Sequence, residues 1–174
     1  MSSSSVSTSK SSVIAKEYLR ELESEERATR ECLAEVPMDQ PKYKPHEKSM
    51  ELGYLAILTG DIPRWIQYII EENLVDFETY PQNHPATTDE LVAMFDKNMA
   101  AARKALKSLT DEDLSKEFQL KHGDKLLMAT PVGESISSAI NHMVHHRGQL
   151  TVYLKLNDKK IPSIYGPSAD SGGF

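Results

Sequence analysis

The chain has 174 residues, with 26 acidic and 20 basic side chains and a formal net charge of −6. This length fits one domain with a sizeable buried core, and the acidic excess disfavours nucleic-acid binding, in which Lys and Arg neutralise phosphates. No apolar run approaches the roughly 20 residues that span a bilayer, and the single cysteine, Cys32, cannot form an internal disulfide. We therefore expect a cytoplasmic protein that binds neither membranes nor nucleic acid.

The N-terminal part is predicted to be a disordered leader followed by a helix. Residues 1–12 hold eight serines and lack the apolar segment of a secretory signal. We expect them to be disordered and residues 13–174 to form one domain. Apolar residues at four-residue spacing, beginning with Ile14, predict a first helix over about 13–35. Cys32 lies in that stripe and is interpreted as a small buried apolar residue.

Two more long helices are predicted in the middle of the chain. Ser49 is a suitable N-cap for a second helix over about 50–72, in which Pro63 is expected to cause a kink. The polar stretch at 76–85 predicts a long loop. Thr87 stands three residues before a glutamate, which is capping-box spacing, and predicts a third helix over about 88–109.

The C-terminal third combines short elements with a fourth long helix. Residues 110–114 predict one short capped turn, and residues 118–130 contain a Gly-Asp pair that predicts a small hairpin or ordered loop. Thr130 followed by Pro131 is typical of a helix start and predicts a helix over about 131–156. The remaining tail is rich in Pro, Gly and Ser and is expected to be irregular. Four long helices with long connections predict an all-α, four-helix bundle.

Three of the six histidines lie within five residues, in the sequence NHMVHHRGQL. His142 and His146 are four residues apart, so both project from one helix face and their imidazoles can converge on one cation. A bare pair of this kind is also common on a polar helix face, so both interpretations stay open. His145 is rotated by roughly 100° from His146 and is interpreted as a surface or partner-facing residue.

Several other chemistries are disfavoured because their motifs are missing from the sequence. There is no His-Glu-x-x-His, no Glu-x-x-His, no Gly-rich phosphate loop and no Gly-x-Ser-x-Gly. The absence of these four motifs disfavours a zincin, a ferritin-like di-iron site, a nucleotide site and a serine hydrolase, respectively. His84 and His122 fall in predicted loops and carry no spacing signal.

The segment INHMVHHRGQLTVYLKLNDKKIPSIYGPSAD resembles the DinB (YfiT-like) family of bacterial metal-dependent enzymes. Upstream, EERATRECLAEVP, YKPHEKSMELGYLA and DIPRW occur in the order usual for that family, so the resemblance covers roughly residues 20–170. It implies an antiparallel bundle of four helices with one long crossover, and a homodimer.

The resemblance also implies a divalent metal held by three histidines. Two of these positions correspond to His142 and His146. The third, on the second helix, is occupied by Leu58, which offers no lone pair, so zinc or nickel is expected to bind weakly or not at all. Asp61, three residues further along, and His46, in the preceding loop, are the candidates to replace the missing ligand.

Two functional hypotheses follow from the resemblance. In the first, the protein is a thiol transferase or hydrolase that uses a divalent metal on a small molecule of unknown identity. Arg147 and Gln149 would then have supporting or packing roles, and no further catalytic residue is assigned. In the alternative, the metal site has lapsed, and the dimeric bundle binds a small molecule or serves a structural role without catalysis.

Overall fold

A computed structural model describes residues 12–172 and contains, within them, five helices and three strands. The four long helices lie close to their predicted positions, and the short α4 corresponds to the predicted capped turn. In chain order the elements are α1 (Val13–Ala34), α2 (Leu52–Glu71), β1 (Leu74–Asp76), α3 (Thr88–Ser108), α4 (Asp111–Leu114), β2 (Glu117–His122), β3 (Lys125–Pro131) and α5 (Val132–Leu156).

The four long helices bury one shared apolar core. Helix α2 packs against both α3 and α5, and α1 packs against the same two helices from another side. Leu22, Ile66, Phe95 and Met143, one from each long helix, are fully buried. At Gly60 a Cβ atom would lie 2.9 Å from the end of the Met94 side chain, so the missing side chain permits the close approach of α2 and α3.

Helix α2 starts later than predicted, and Ser49 is not its N-cap. The N-cap is Glu51, which makes no side-chain capping bond. The preceding loop supplies the acceptors instead, because the amide of Leu52 donates to the carbonyl of Tyr43 at 2.9 Å and that of Gly53 to the carbonyl of Pro41 at 2.8 Å. A capping side chain is therefore not needed at this helix end.

Helix α2 continues through Pro63 without ending there. Proline lacks the N–H group that would bond within the helix, and its ring disturbs the preceding turn. The side-chain amide of Asn98, on α3, donates to the carbonyl of Gly60 at 3.0 Å. A neighbouring helix thus supplies a hydrogen bond to this turn, where the proline weakens the internal ladder.

The prediction of an all-α protein is incomplete, because a small mixed sheet accompanies the helices. Strand β1 pairs in parallel with β2, and β2 pairs antiparallel with β3 in the hairpin foreseen from the Gly-Asp pair. Val75 and Phe118 bury the inner face of this sheet. The fold is therefore mostly helical with a three-stranded sheet attached.

Both ends of the helical region differ slightly from the predicted boundaries. Ser12, assigned to the leader, is buried and caps α1, with its hydroxyl accepting from the amide of Ala15 at 3.3 Å. The rest of the predicted leader, residues 1–11, lies outside the described residues. Pro131 is the N-cap of α5 and not its first helical residue, because β3 extends to it. No helix within residues 12–172 has the length and apolar character to cross a membrane.

Candidate metal centre

The two histidines that share one face of α5 lie in direct contact. Nε2 of His142 and Nε2 of His146 are 2.7 Å apart, a hydrogen-bond distance. His146 is only 5% exposed, while His142 is half-buried. The helix spacing therefore directs two ring nitrogens to the same point.

Gln149 determines which nitrogen of His146 carries the proton. Its side-chain oxygen lies 2.8 Å from Nδ1 of His146. Because an amide oxygen can only accept, Nδ1 carries the hydrogen and Nε2 is left with a free lone pair. His142 then donates its Nε2–H to that lone pair. Metal-binding histidines are typically oriented by a hydrogen bond of this kind from the other ring nitrogen.

Burial keeps both histidines in the neutral form that can bind a metal. It lowers the pKa of His142, and the neighbouring His146 and His145 lower it further. Burial also lowers the pKa of His146; the hydrogen bond to Gln149 opposes this shift, and His145 adds to it. Both imidazoles are therefore uncharged at neutral pH.

Two contacts define how α2 lies along α5. The rings of Trp65 and His142 pack edge to face with centroids 5.9 Å apart. Further along, the hydroxyl of Tyr153 donates to the carbonyl of Met50 at 3.1 Å. The two helices therefore run in opposite directions. Leu58 lies between Met50 and Trp65, which places it level with the part of α5 near His146.

Asp61 forms an ion pair and hydrogen bonds with residues other than the histidine pair. Its carboxylate is buried and pairs with Arg64, with Nε at 3.0 Å from Oδ1. The hydroxyl of Tyr80 donates to Oδ2 at 2.8 Å, and the amides of Asn83 and Asn98 donate to Oδ1 at 2.8 and 3.3 Å. Joining the histidines would require Asp61 to give up these bonds.

His46 and His145 also differ from the histidine pair in their surroundings. His46 is exposed in the loop before α2, where its Nδ1 accepts from the amide of Lys48 at 3.2 Å. His145 is exposed, as predicted, although its ring packs against that of His146 with centroids 5.2 Å apart. Within residues 12–172 no group of three His, Cys, Asp or Glu side chains is arranged to hold a metal.

A small cavity of about 170 Å³ opens beside His142, between α2, α5 and the sheet. Its lining is mainly apolar, with Ser135 and Ser138 as the only hydroxyl groups in it. The other lining residues are Trp65, Ile69, Phe118, Leu120, Met128 and Ala139. The β-hairpin that the sequence indicated thus forms one wall of the space next to the histidine pair.

Arg147 is buried and packs between helices, which agrees with the packing role that was one of the two roles predicted for it. It is 1% exposed, and its guanidinium pairs with Glu25 of α1 at 2.6 Å. It also donates to the hydroxyls of Thr29 and Tyr165, at 3.1 and 3.0 Å. Cys32 is buried nearby, and burial raises the pKa of its thiol to about 11, which agrees with its interpretation as an apolar residue.

The aromatic cluster around Trp65 was not predicted from the sequence. The Trp65 ring packs against Phe77 and Tyr80 as well as His142, with centroids 5.7 and 6.1 Å away for the first two. The Asp61–Arg64 pair could have been found from its three-residue spacing on a helix. The contribution of Tyr80 carried no such signal, because it comes from a loop.

The residues present fit a divalent metal only in part. Two nitrogen ligands of one tetrahedral metal stand roughly 3.3 Å apart, slightly further than the 2.7 Å seen between the Nε2 atoms. The neutral imidazoles and the bond to Gln149 suit metal binding, whereas a third protein ligand is not in place. The fold and the histidine pair therefore define a mostly helical protein with a small sheet and a two-histidine candidate metal site.

The family model of the DinB family matches residues 5–171, nearly the whole chain. The chain belongs to the DinB family, as its resemblance indicated. One similar protein is the uncharacterized protein YrdA of Bacillus subtilis (strain 168), which is 25% identical over 156 residues. That match covers 88% of this chain and 89% of YrdA.

Solved DinB-like structures share the fold. A DinB-like protein from Bacillus subtilis superposes with a TM-score of 0.67 at 22% identity, covering 84% of this chain and 96% of that one. A DinB-like protein from Bacillus cereus ATCC 10987 gives a TM-score of 0.65 at 20% identity, covering 86% and 97%. These identities are low, so the likeness concerns the arrangement of the backbone.

Proposed function

We propose that the protein is a divalent-metal-dependent enzyme that transfers a thiol or hydrolyses a bond in a small molecule. His142 and His146 are the two protein ligands in this proposal, and solvent or substrate fills the other positions. The observation that carries it is the convergence of the two Nε2 atoms at 2.7 Å. Asp61 and His46 are left out of the ligand set because each is bonded elsewhere.

Each imidazole has a defined task in holding the metal. His146 already has its lone pair at Nε2, because the bond to Gln149 keeps the proton at Nδ1; in the absence of metal this lone pair accepts from His142. His142 must move its proton from Nε2 to Nδ1 before its own Nε2 can bind. When bound, a divalent metal lowers the pKa of a thiol or water and so makes it a nucleophile at neutral pH.

The size and apolar lining of the cavity beside His142 favour a substrate with a small apolar group. Its walls are aromatic and aliphatic, and its volume of about 170 Å³ suits a short chain or a single ring. Trp65 lies between this cavity and a second one near Leu58. A substrate seated against Trp65 would present its polar end to the histidine pair.

Metal uptake by tag-free protein tests the proposal directly. We expect equilibrium dialysis against zinc or nickel, followed by elemental analysis, to show uptake that His142→Ala and His146→Ala each abolish. His145→Ala is the matched control and should retain uptake, because that side chain is exposed and outside the pair. Equal uptake by wild type and both site variants would contradict the proposal.

Activity is tested with simple reporters of the two reaction classes. Cysteine with 1-chloro-2,4-dinitrobenzene reports thiol transfer, and p-nitrophenyl acetate reports hydrolysis. A turnover that depends on added metal and is lost in His146→Ala supports the enzyme. Metal uptake without turnover of either reporter would count against these two reaction types.

The second candidate function is a non-catalytic bundle with a lapsed metal site. Leu58 at the third ligand position favours it, as does the commitment of Asp61 to Arg64 and Tyr80. In that case the two histidines serve as a buried hydrogen-bonded pair that satisfies its own polar atoms. Absence of metal uptake in the dialysis experiment, with the fold intact, would select this candidate.

A further inference from the structure

A second cavity, of about 460 Å³, lies between α2 and α3 and is separate from the histidine pair. No residue of α5 lines it. Arg64 lies on the α2 side, and the α3 side includes Glu90, Ala93, Met94, Lys97 and Ala101. Its volume is typical of sites for small molecules.

The Asp61–Arg64 ion pair is oriented with its positive side towards this cavity. Arg64 lines the space between α2 and α3, whereas Asp61 lines the neighbouring cavity next to Leu58. The Arg64 side chain is 15% exposed and is held in place by Asp61 and by the hydroxyl of Tyr80. A rigid guanidinium of this kind is well suited to binding a carboxylate.

Some N–H groups of the Arg64 guanidinium make no contact with the described part of the chain. Its Nε and Nη2 atoms are occupied by Asp61, Tyr80 and the carbonyl of Pro81. Among the contacts within residues 12–172, none is made by Nη1. A guanidinium carries five N–H groups, of which two belong to Nη1. These two donors are therefore available to a ligand.

Lys97 adds a second positive charge on the opposite wall. It is exposed and takes part in no ion pair within the described part of the chain. The one acidic lining residue, Glu90, already accepts a hydrogen bond from the amide of Ala86 at 2.7 Å. Ala93, Met94 and Ala101 provide an apolar surface in the same cavity.

We propose that this cavity binds a small organic carboxylate. The carboxylate pairs with Arg64 and Lys97, and the apolar part of the ligand packs against Met94 and Ala101. This site is independent of the metal proposal, since it shares no residue with the histidine pair.

Three probes of equal chain length test the charge requirement: hexanoate, hexanamide and hexylamine. Each is titrated into the full-length protein, and binding is followed by the NMR signals of the Met94 methyl group and the Ala101 methyl group. We expect hexanoate to shift both signals saturably and to bind more tightly than hexanamide, with no saturable shift from hexylamine. Absence of saturable binding by hexanoate, or equal binding by hexylamine, would overturn the proposal.

Lys97→Met removes the charge while keeping an unbranched side chain. It should weaken hexanoate binding by up to about fivefold, as expected for loss of a partly exposed ion pair. Lys107→Met, an exposed position on the same helix outside the cavity, is the matched control and should bind as wild type does. The His142→Ala variant should also bind hexanoate normally, which separates this test from the metal proposal. Wild-type affinity in Lys97→Met would contradict the assigned role of Lys97.

Discussion

At the scale of single residues, position 58 decides whether the histidine pair can become a full metal site. Leu58 lies on α2, level with the part of α5 near His146, because the contacts of Met50 and Trp65 align the two antiparallel helices. A histidine there would supply a third ligand from a second helix. Such a set of three protein ligands is typical of catalytic zinc sites.

Leu58→His should therefore convert weak metal binding into strong binding. A ligand that binds only the folded form stabilises it by about 2.7 kcal/mol at a hundredfold excess over Kd. We expect a zinc-dependent rise in melting temperature, measured by calorimetry, that disappears at low pH, where protonated imidazoles cannot bind. Leu58→Asn is the control, because it introduces a polar side chain without an imidazole. Equal zinc responses in wild type and Leu58→His would mean that position 58 does not face the site.

The lowered pKa values of the two histidines predict a pH dependence of stability. Between the ordinary pKa of about 6.5 and the lower folded values, the unfolded chain binds protons that the folded protein does not. The free energy of unfolding of metal-free protein should fall as the pH drops below about 6.5. Denaturant unfolding at pH 7.5 and 5.5 measures this, and His142→Gln should reduce the difference. A pH dependence unchanged in His142→Gln would show that other groups cause it.

The histidine pair was predictable from sequence and the role of Asp61 was not. Four-residue spacing on a helix brings His142 and His146 together whatever the rest of the fold does. The environment of Asp61 depends on Tyr80, which a loop brings back to α2, and no local pattern specifies that return. The candidates for a third ligand could be named from the sequence, and so could the pairing of Asp61 with Arg64 three residues later, but the bonds of Asp61 to Tyr80 and Asn83 could not.

At the scale of elements, a buried ion pair joins α1, α5 and the C-terminal tail. Arg147 pairs with Glu25, and Tyr165 bonds to both, donating to the Glu25 carboxylate at 2.9 Å. Removing one member of a buried pair leaves the other charge without its partner, which typically costs about 3 kcal/mol or more. The conspicuous Arg and Tyr of the HRGQ and YGPS segments thus attach the tail to the bundle.

Arg147→Met should lower the free energy of unfolding by about 3 kcal/mol, measured by urea denaturation. Tyr165→Phe should cost about 1 kcal/mol, since it removes hydrogen bonds without removing a charge. Arg30→Met is the matched control, because the Arg30–Asp96 pair is exposed to solvent and should contribute much less to stability. A cost for Arg147→Met no greater than that of the control would contradict the assigned role of the buried pair.

The long helices could be predicted because each carries a continuous apolar stripe, whereas β1 could not. Strand β1 has three residues, too few for an alternating pattern, and its partner β2 lies more than forty residues further along the chain. The start of α2 was misplaced for a related reason. Backbone carbonyls of a distant loop, and not a side chain next to the helix, accept from its first amides.

At the scale of the whole molecule, we expect a homodimer, as the family resemblance implies. Val152 and Leu156 lie one turn apart on α5, and each is more than half exposed, at 57% and 56%. An apolar pair of this kind suits a contact between two copies. Light scattering at micromolar concentration should give the mass of a dimer, and combining Val152→Lys with Leu156→Lys should give a monomer. A monomeric wild type would contradict this expectation.

The central proposal is that His142 and His146 bind one divalent metal through their Nε2 atoms. Nitrogen-15 NMR of histidine-labelled protein reports the protonation and metal binding of each ring nitrogen separately. Before metal is added, we expect a protonated Nδ1 and an unprotonated Nε2 on His146, because of its bond to Gln149. Zinc should then shift Nε2 of both His142 and His146, move the proton of His142 to Nδ1, and leave His145 unchanged. Unaltered Nε2 signals of His142 and His146 in excess zinc would contradict the proposal.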